Sequence, residues 1–232
     1  ALSRCKLQPL RWEAKEGLSL LNGTQGMQAV AGLALERAYR VWNAAQLAGA
    51  MSLEAMMGTP EPFDEAIQRL KPHPGQIEAA AQLRGYLADS QIREAHRSGD
   101  PRVQDPYSLR CMPQVHGAVK DRLDQSAATV EIEMGSVSDN PLLVDGRILS
   151  GGNFHGQALS FAGDGAAAAM TALGNISERR IFQLISGQAP GLKPFLAREP
   201  GLESGWMIPQ VTAAALASEN KTLSFPASVD SI

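Results

Sequence analysis

The sequence predicts an all-α protein: a bundle of long helices that builds an oligomeric core, with one small β-hairpin near residues 142–149. Three observations carry this. Apolar residues recur at helical spacing over long stretches rich in Ala, Leu and Met. A strand signature occurs once and is short. The helices are apolar around much of their circumference, a pattern of helices buried on several sides, which in a chain of 232 residues points to packing against further copies.

The elements follow in order. Asn22-Gly23 is a turn, Thr24 a helix cap, and the first long helix covers Met27 to Met57 until Pro60 and Pro62 stop it. A short amphipathic stretch, Phe63 to Leu70, precedes the breaker Lys71-Pro72-His73-Pro74-Gly75. Gln76 to Arg97 reads as a second long helix, and residues 98–106 as a loop punctuated by Gly99-Asp100-Pro101. Asp105 as cap and Pro106 in the first helical position start a third helix, reaching about Gly135 with a kink at Pro113. Asp145-Gly146 between two apolar triplets is a type I′ hairpin turn. A fourth, Ala-rich helix covers His155 to Ser186, a loop Gly187 to Gly205, and a last helix Met207 to Lys221. No internal repeat or linker divides residues 1–232, which read as a single helical domain.

Composition narrows the function. Lys plus Arg is 21 and Asp plus Glu is 24, a net charge of −3, which argues against a nucleic-acid binder. Two cysteines, Cys5 and Cys111, make no disulfide scaffold, and a reducing compartment fits. No apolar run approaches the ~20 residues that span a bilayer, and no secretory leader is indicated. The chain opens on Ala1 and closes on Ile232, directly after Pro-Ala-Ser-Val-Asp-Ser; we expect a piece of a longer protein. The four histidines are scattered, with no His-x-x-x-His or Cys-x-x-Cys pair, so no metal site is expected. The glycine-rich run 151–156 lacks the spacing of a nucleotide loop.

Other segments carry more chemistry. Tyr107 and Arg110 are three apart and share a helix face, where Arg110 can grip a carboxylate bidentately and the helix start adds positive potential. A packed tyrosine and a surface arginine on a capped helix start remain open as the plainer reading. Asn22, Asn153 and Phe154 read locally as turn, loop and cap residues. Glu219 ends an apolar helix, where a desolvated carboxylate can serve as a base; an exposed helix end with Glu219 near Lys221 is equally open.

Seven segments in register then point to one family. They are Leu-Leu-Asn-Gly-Thr-Gln (20–25), Gln-Asp-Pro-Tyr-Ser-Leu-Arg-Cys (104–111), Ser-Asp-Asn-Pro-Leu (138–142), Ser-Gly-Gly-Asn-Phe-His-Gly (150–156), Ser-Glu-Arg-Arg (177–180), Ser-Glu-Asn-Lys (218–221) and Pro-Ala-Ser-Val-Asp-Ser (226–231). The chain resembles the aromatic amino acid ammonia-lyase and aminomutase family over nearly its whole length, and within it the histidine ammonia-lyases. The resemblance implies a cytoplasmic, catabolic homotetramer whose active sites are shared between subunits. It implies loss of ammonia from an amino acid, histidine to urocanate, or in sister enzymes reactions of tyrosine and phenylalanine. A noncatalytic helical assembly module is the reading from another class.

By that resemblance, Arg110 holds the substrate carboxylate and Tyr107 assists proton transfer at the amine. Asn22 and Gln104 position substrate and electrophile, Phe154 forms a wall, and Glu219 contacts the imidazole or takes the β-proton. The family's electrophile is a methylidene-imidazolone (MIO) cyclised from Ala-Ser-Gly. No such tripeptide occurs here: Ala217-Ser218 precedes Glu219, and Ala227-Ser228 precedes Val229. The resemblance places that segment upstream of Ala1, so the piece alone is expected to be inactive. Phe225 stands where histidine-specific members often carry His.

Overall fold

The computed structural model describes residues 2–100 and 102–231. Ala1 and Ile232, on which the reading of the ends rests, and Pro101 of the expected 98–106 loop lie outside the described residues.

A short helix α1 (Glu16–Leu21) leads into the Asn22-Gly23 turn. Helix α2 then runs unbroken over Gln25–Ala55, 31 residues, or about 46 Å at the usual rise per residue. Thr24 stands at its N-cap position, but the hydroxyl is employed elsewhere. It donates to Glu133 Oε1 at 2.7 Å and accepts from Gln28 Nε2 at 2.8 Å. The helix stops before the prolines expected to stop it. Met57 takes a left-handed φ of 52° and Gly58 N donates to Leu53 O at 2.8 Å, a C-terminal turn that satisfies the last carbonyls.

Helix α3 (Glu65–Leu70) is capped by the Asp64 carboxylate, which accepts from Ala66 N at 2.7 Å. The single helix expected over 76–97 is two: α4 (Pro74–Tyr86) and α5 (Gln91–Ala95). Asp89 breaks the run with φ 55°, and Ser90 Oγ accepts from Arg93 N at 3.0 Å while donating to Glu54 Oε1 at 2.7 Å. A serine offering a cap on one side and a tertiary bond on the other outweighs continued helix.

The third long helix is divided as well, into α6 (Tyr107–Arg110) and α7 (Met112–Met134), with the bend at Cys111. Pro106 takes the cap position expected of Asp105, because Asp105 Oδ2 instead accepts from Thr59 N at 2.7 Å. Pro113 sits in the first turn of α7, where its missing N–H is no loss. Strands β1 (Leu142–Val144) and β2 (Arg147–Leu149) pair antiparallel, Leu142 opposite Leu149. Asp145 (φ 51°) and Gly146 (φ 74°) form the expected type I′ turn. Helices α8 (Gln157–Ile185) and α9 (Met207–Leu223) complete the chain.

Helix α7 packs along α2, α4 and α8, and α9 lies along α8. One apolar cluster centres on Trp42, Val119, Leu123 and Leu173, the other on Leu53, Phe63, Leu83 and Met112. The chain exposes 14993 Å², against roughly 10,000 Å² for a compact monomer of this mass. The excess is largely helix face: α9 buries no residue, and α2 exposes Val30, Leu33 and Met51.

Helices α4 and α7 touch backbone to backbone. A Cβ at Gly117 would collide with the main chain of Gln76, and one at Gly75 with the Gly117 carbonyl. Gly117→Ala should therefore destabilise the fold by about 1–3 kcal/mol through overpacking. Gly85, exposed at the end of α4 with no atom within 4 Å of an added Cβ, is the contrast; Gly85→Ala should stabilise by about 0.5–1 kcal/mol through helix propensity. Urea unfolding of both variants checks the pair; equal shifts would mean that the crossing is looser than described.

Candidate functional site

The residues singled out from the sequence fall into three groups. The first surrounds α6. Arg110 Cζ lies 4.5 Å from the Tyr107 ring centroid, so the shared face becomes a guanidinium stacked on a phenol. Arg110 is half-buried, its Nε is without a hydrogen-bond partner, and among the described residues no carboxylate pairs with it. Two clefts meet at Arg110. One, of about 380 Å³, is lined by Thr59, Glu61, Gln104 and Gln114; the other, of about 360 Å³, by Met56, Gln104, Tyr107 and Gln183. An unpaired planar fork where two open clefts meet is suited to a carboxylate.

Gln114 is the residue that sequence reasoning missed. Its Oε1 is buried without a partner beside Arg110. The i+4 spacing from Arg110 was the available signal.

The second group surrounds Asn22. Asn22 Nδ2 donates to Asp139 Oδ1 at 2.9 Å and to Asn140 O at 3.2 Å. Asp139 also accepts from Ser19 Oγ at 2.9 Å and pairs with Lys15 Nζ at 2.9 Å. These donors hold its carboxyl well below the usual range, hydrogen bonding from Asn22 being the largest cause. The Asn140 side-chain oxygen accepts from Gly151 N at 2.7 Å, and Asn153 Nδ2 donates to Val137 O at 3.2 Å. Segments 15–25, 137–141 and 150–156 are thereby stitched together, with Phe154 exposed in the third. Asn22 is thus more than a turn residue. Its amide nitrogen is committed, and among the described residues its oxygen is the free end.

Glu219 stands apart, exposed on α9. Its neighbour Asn220 accepts through its carbonyl from Thr171 Oγ1 at 3.2 Å, which fixes this level near the middle of α8. Of the two readings left open for Glu219, the single chain has the exposed helix end, and among the described residues no ion pair joins Glu219 to Lys221.

One chain does not bring the groups together. Asn22 precedes α2, whereas Asp105 and Arg102 bind Thr59 N and Met56 O beyond its other end. The α6 and Asn22 groups are therefore separated by about the length of α2, some 45 Å. The apolar cleft between α2, α7 and α8, lined by Leu35, Ala38, Val130 and Met170, holds no titratable side chain. Among the described residues no cluster of His, Cys, Asp or Glu forms a metal site, and no helix is long and apolar enough to cross a membrane.

The model of the family described as aromatic amino acid lyase matches residues 1–232. The chain belongs to the aromatic amino acid lyase family. It is 53% identical over its whole length to a histidine ammonia-lyase of Anaeromyxobacter dehalogenans, covering 46% of that protein. Among solved structures, histidine ammonia-lyase from Trypanosoma cruzi is similar with a TM-score of 0.89 at 41% identity, over 100% of this chain and 43% of that one. Tyrosine aminomutase from Streptomyces globisporus is similar with a TM-score of 0.91 at 35% identity, over 100% of this chain and 48% of that one. The chain spans about half the length of the curated relatives it matches.

In this lyase-family chain a buried polar layer lies beneath α6. His116 Nδ1 is 2.6 Å from Gln46 Oε1, and Trp42 Nε1 donates to His116 O at 2.7 Å. Arg180 Nη1 reaches His116 Nε2 at 3.2 Å and Ser108 O at 3.3 Å. Burial first, and the Arg180 charge second, push His116 down to about 3. Burial lowers Arg180 to about 10, so at neutral pH the arginine is charged and the histidine is not.

A histidine whose folded value is depressed stabilises the fold above its unfolded value of about 6.5, and that contribution is lost as pH falls towards the folded value. Going from pH 7 to pH 5 should cost about 2 kcal/mol, a window above ordinary carboxylate titration. His116→Gln should flatten that slope. Urea unfolding at the two pH values decides; equal wild-type stability would mean that His116 is already charged or accessible.

Proposed function

We propose that the chain is the central-to-C-terminal portion of a histidine ammonia-lyase, one helical unit of a cytoplasmic enzyme that eliminates ammonia from L-histidine to give urocanate. The observation that carries this reading is the half-buried, unpaired Arg110 stacked on Tyr107, in a chain 53% identical to a histidine ammonia-lyase.

On this reading the residues take the roles that the family resemblance implies. Arg110 receives the α-carboxylate on its fork, with Gln104 at the junction of the two clefts. Tyr107, stacked on the guanidinium, is the residue we assign to assist proton transfer at the amine beside that carboxylate. Asn22 offers an acceptor oxygen held in place by Asp139, and Phe154 provides an apolar wall. Glu219 faces the ring, where it either receives an imidazole N–H or takes the β-proton. That proton is weakly acidic, so a positioned base needs an electron sink as partner. When present, the MIO group supplies that sink at the amine. Its Ala-Ser-Gly precursor is not in this sequence, while the unengaged Asn22 oxygen and the open clefts at Gln104 suit residues that position such a group.

A site of this kind must draw on several subunits. Asn22 and Arg110 of one chain are separated by the length of α2, and Glu219 lies exposed at a third level. The uncovered apolar faces of α2 and α9 support assembly, which we take to be a homotetramer.

Two measurements on the complete enzyme test the reading. Asn22→Ala and Arg110→Ala subunits, each of low activity, should regain activity when co-assembled, with about a quarter of sites intact under random mixing. No recovery in proven mixed oligomers would place both residues of a site on one chain and refute the shared arrangement.

The second test concerns substrate. Similarity to a tyrosine aminomutase and the Phe225 position favour a phenol- or phenyl-bearing substrate as the second reading. Glu219→Gln should lower kcat/KM for histidine by about a hundredfold or more, the scale of general-base loss. Phenylalanine turnover should change little or rise, because a carboxylate facing a phenyl ring has no partner. Urocanate and cinnamate formation are the readouts, and proportional losses on both substrates would show that Glu219 does not read the ring.

A further inference from the structure

We propose that Arg180 is a positioning residue for α6, holding its backbone at Ser108 and thereby setting where Arg110 and Tyr107 stand; this rests on the reading that Arg110 grips the substrate carboxylate.

Helix α6 is held from outside at few points, the tie of Asp105 to Thr59 N just before it among them. It is four residues long, bounded by Pro106 and the bend at Cys111. Its own bonds run from Leu109 N and Arg110 N to Pro106 O, and from Cys111 N to Tyr107 O. The Ser108 hydroxyl is buried and unpartnered. From the bundle, Leu109 supplies an apolar anchor, and the Ser108 carbonyl accepts from Arg180 Nη1 at 3.3 Å. An apolar contact fixes depth but not rotation. The directional bond at Ser108 sets the azimuth of the turn, and with it the direction of Arg110, two residues on.

Arg180 is itself locked. Gln46 Nε2 donates to Ala79 O at 3.0 Å, which leaves Gln46 Oε1 facing His116 Nδ1. The proton is therefore assigned to Nδ1, and Nε2 presents its lone pair to Arg180 Nη1 at 3.2 Å. Arg180 Nη2 donates to Ser177 Oγ at 3.0 Å. The fork thus serves three acceptors on three elements: Ser177 on α8, His116 on α7 and Ser108 on α6. A lysine cannot reach the three in one plane.

All three acceptors are neutral. Arg180 is 3% exposed, and among the described residues no carboxylate pairs with it. A buried cation without a counter-ion is costly, and a neutral apolar side chain would pack this position at lower cost. Displacing a binding group by about 1 Å is enough to cost orders of magnitude in rate, so a rigid link from the core to α6 has a use that packing alone does not.

The test uses the complete enzyme with Arg180→Lys and Ser177→Ala. Ser177→Ala keeps the buried charge and removes one acceptor, so it serves if Arg180→Lys fails to fold. Amide hydrogen exchange reads α6 directly, independent of any activity. In Arg180→Lys, exchange at Leu109, Arg110 and Cys111 should accelerate about tenfold or more while residues 119–130 of α7 keep their protection. Ser177→Ala should act in the same direction by about threefold.

Inhibition supplies the functional readout. Urocanate carries the carboxylate that Arg110 receives, and histamine does not. Arg180→Lys should weaken urocanate about tenfold and leave histamine unchanged, and the difference should vanish in an Arg110→Ala background. Unchanged α6 exchange, or protection lost evenly along α7, overturns the positioning role. Intact coupling of exchange in an enzyme that makes no urocanate overturns the substrate reading and leaves the role of Arg180 standing.

Discussion

The unbroken length of α2 governs how this protein can work. A helix of 31 residues is a rigid spacer of about 46 Å. One end is tied through Thr24 to Glu133 and follows the Asn22 turn; the other is tied through Met56 and Thr59 to Arg102 and Asp105. Whatever binds at Asn22 in one chain cannot touch Arg110 of the same chain. Chemistry that needs both must be assembled from copies, and the same long helices supply the apolar faces that would join them.

Close packing of those helices depends on small residues and carries a polar cost. Gly75 and Gly117 let α4 and α7 meet at backbone distance, which gives the bundle a crossing that no side chain can loosen. Along α2 and α7 the layer of Gln46 and His116 lies between the two apolar clusters, satisfied by amides, a carbonyl and one guanidinium. A layer of this kind disfavours alternative registers of the helices, because sliding any one of them strands a buried donor. Its rigidity is passed to the short segment that bears Arg110.

The two polar neighbourhoods differ in how they are held. Around Asn22, a depressed carboxyl at Asp139 gathers a lysine, a serine, an amide and a backbone N–H, so the turn is fixed by charge-assisted bonds near the surface. Around Arg110, the guanidinium is stacked and unpaired, and Gln114 waits beside it. The first arrangement leaves the Asn22 side-chain oxygen unengaged among the described residues, and the second leaves a guanidinium and an amide oxygen without partners.

Much of this was legible in the sequence because helical periodicity and turn chemistry are local. The long helices α2, α8 and α9, the Asp145-Gly146 hairpin and the pairing of Tyr107 with Arg110 all follow from spacing within one or two turns. Where a side chain had two possible partners, local reasoning chose the near one and tertiary structure the far one. Asp105 caps Thr59 N rather than its own helix, Ser90 splits a helix to reach Glu54, and Thr24 turns from its cap to Glu133. The sequence by itself determined the helices, the hairpin and the candidate residues. Only the tertiary structure decided that Asn22, Arg110 and Glu219 stand apart in one chain and that Arg180 lies under α6, because distance along a rigid helix and burial between helices are set by packing, not by local spacing.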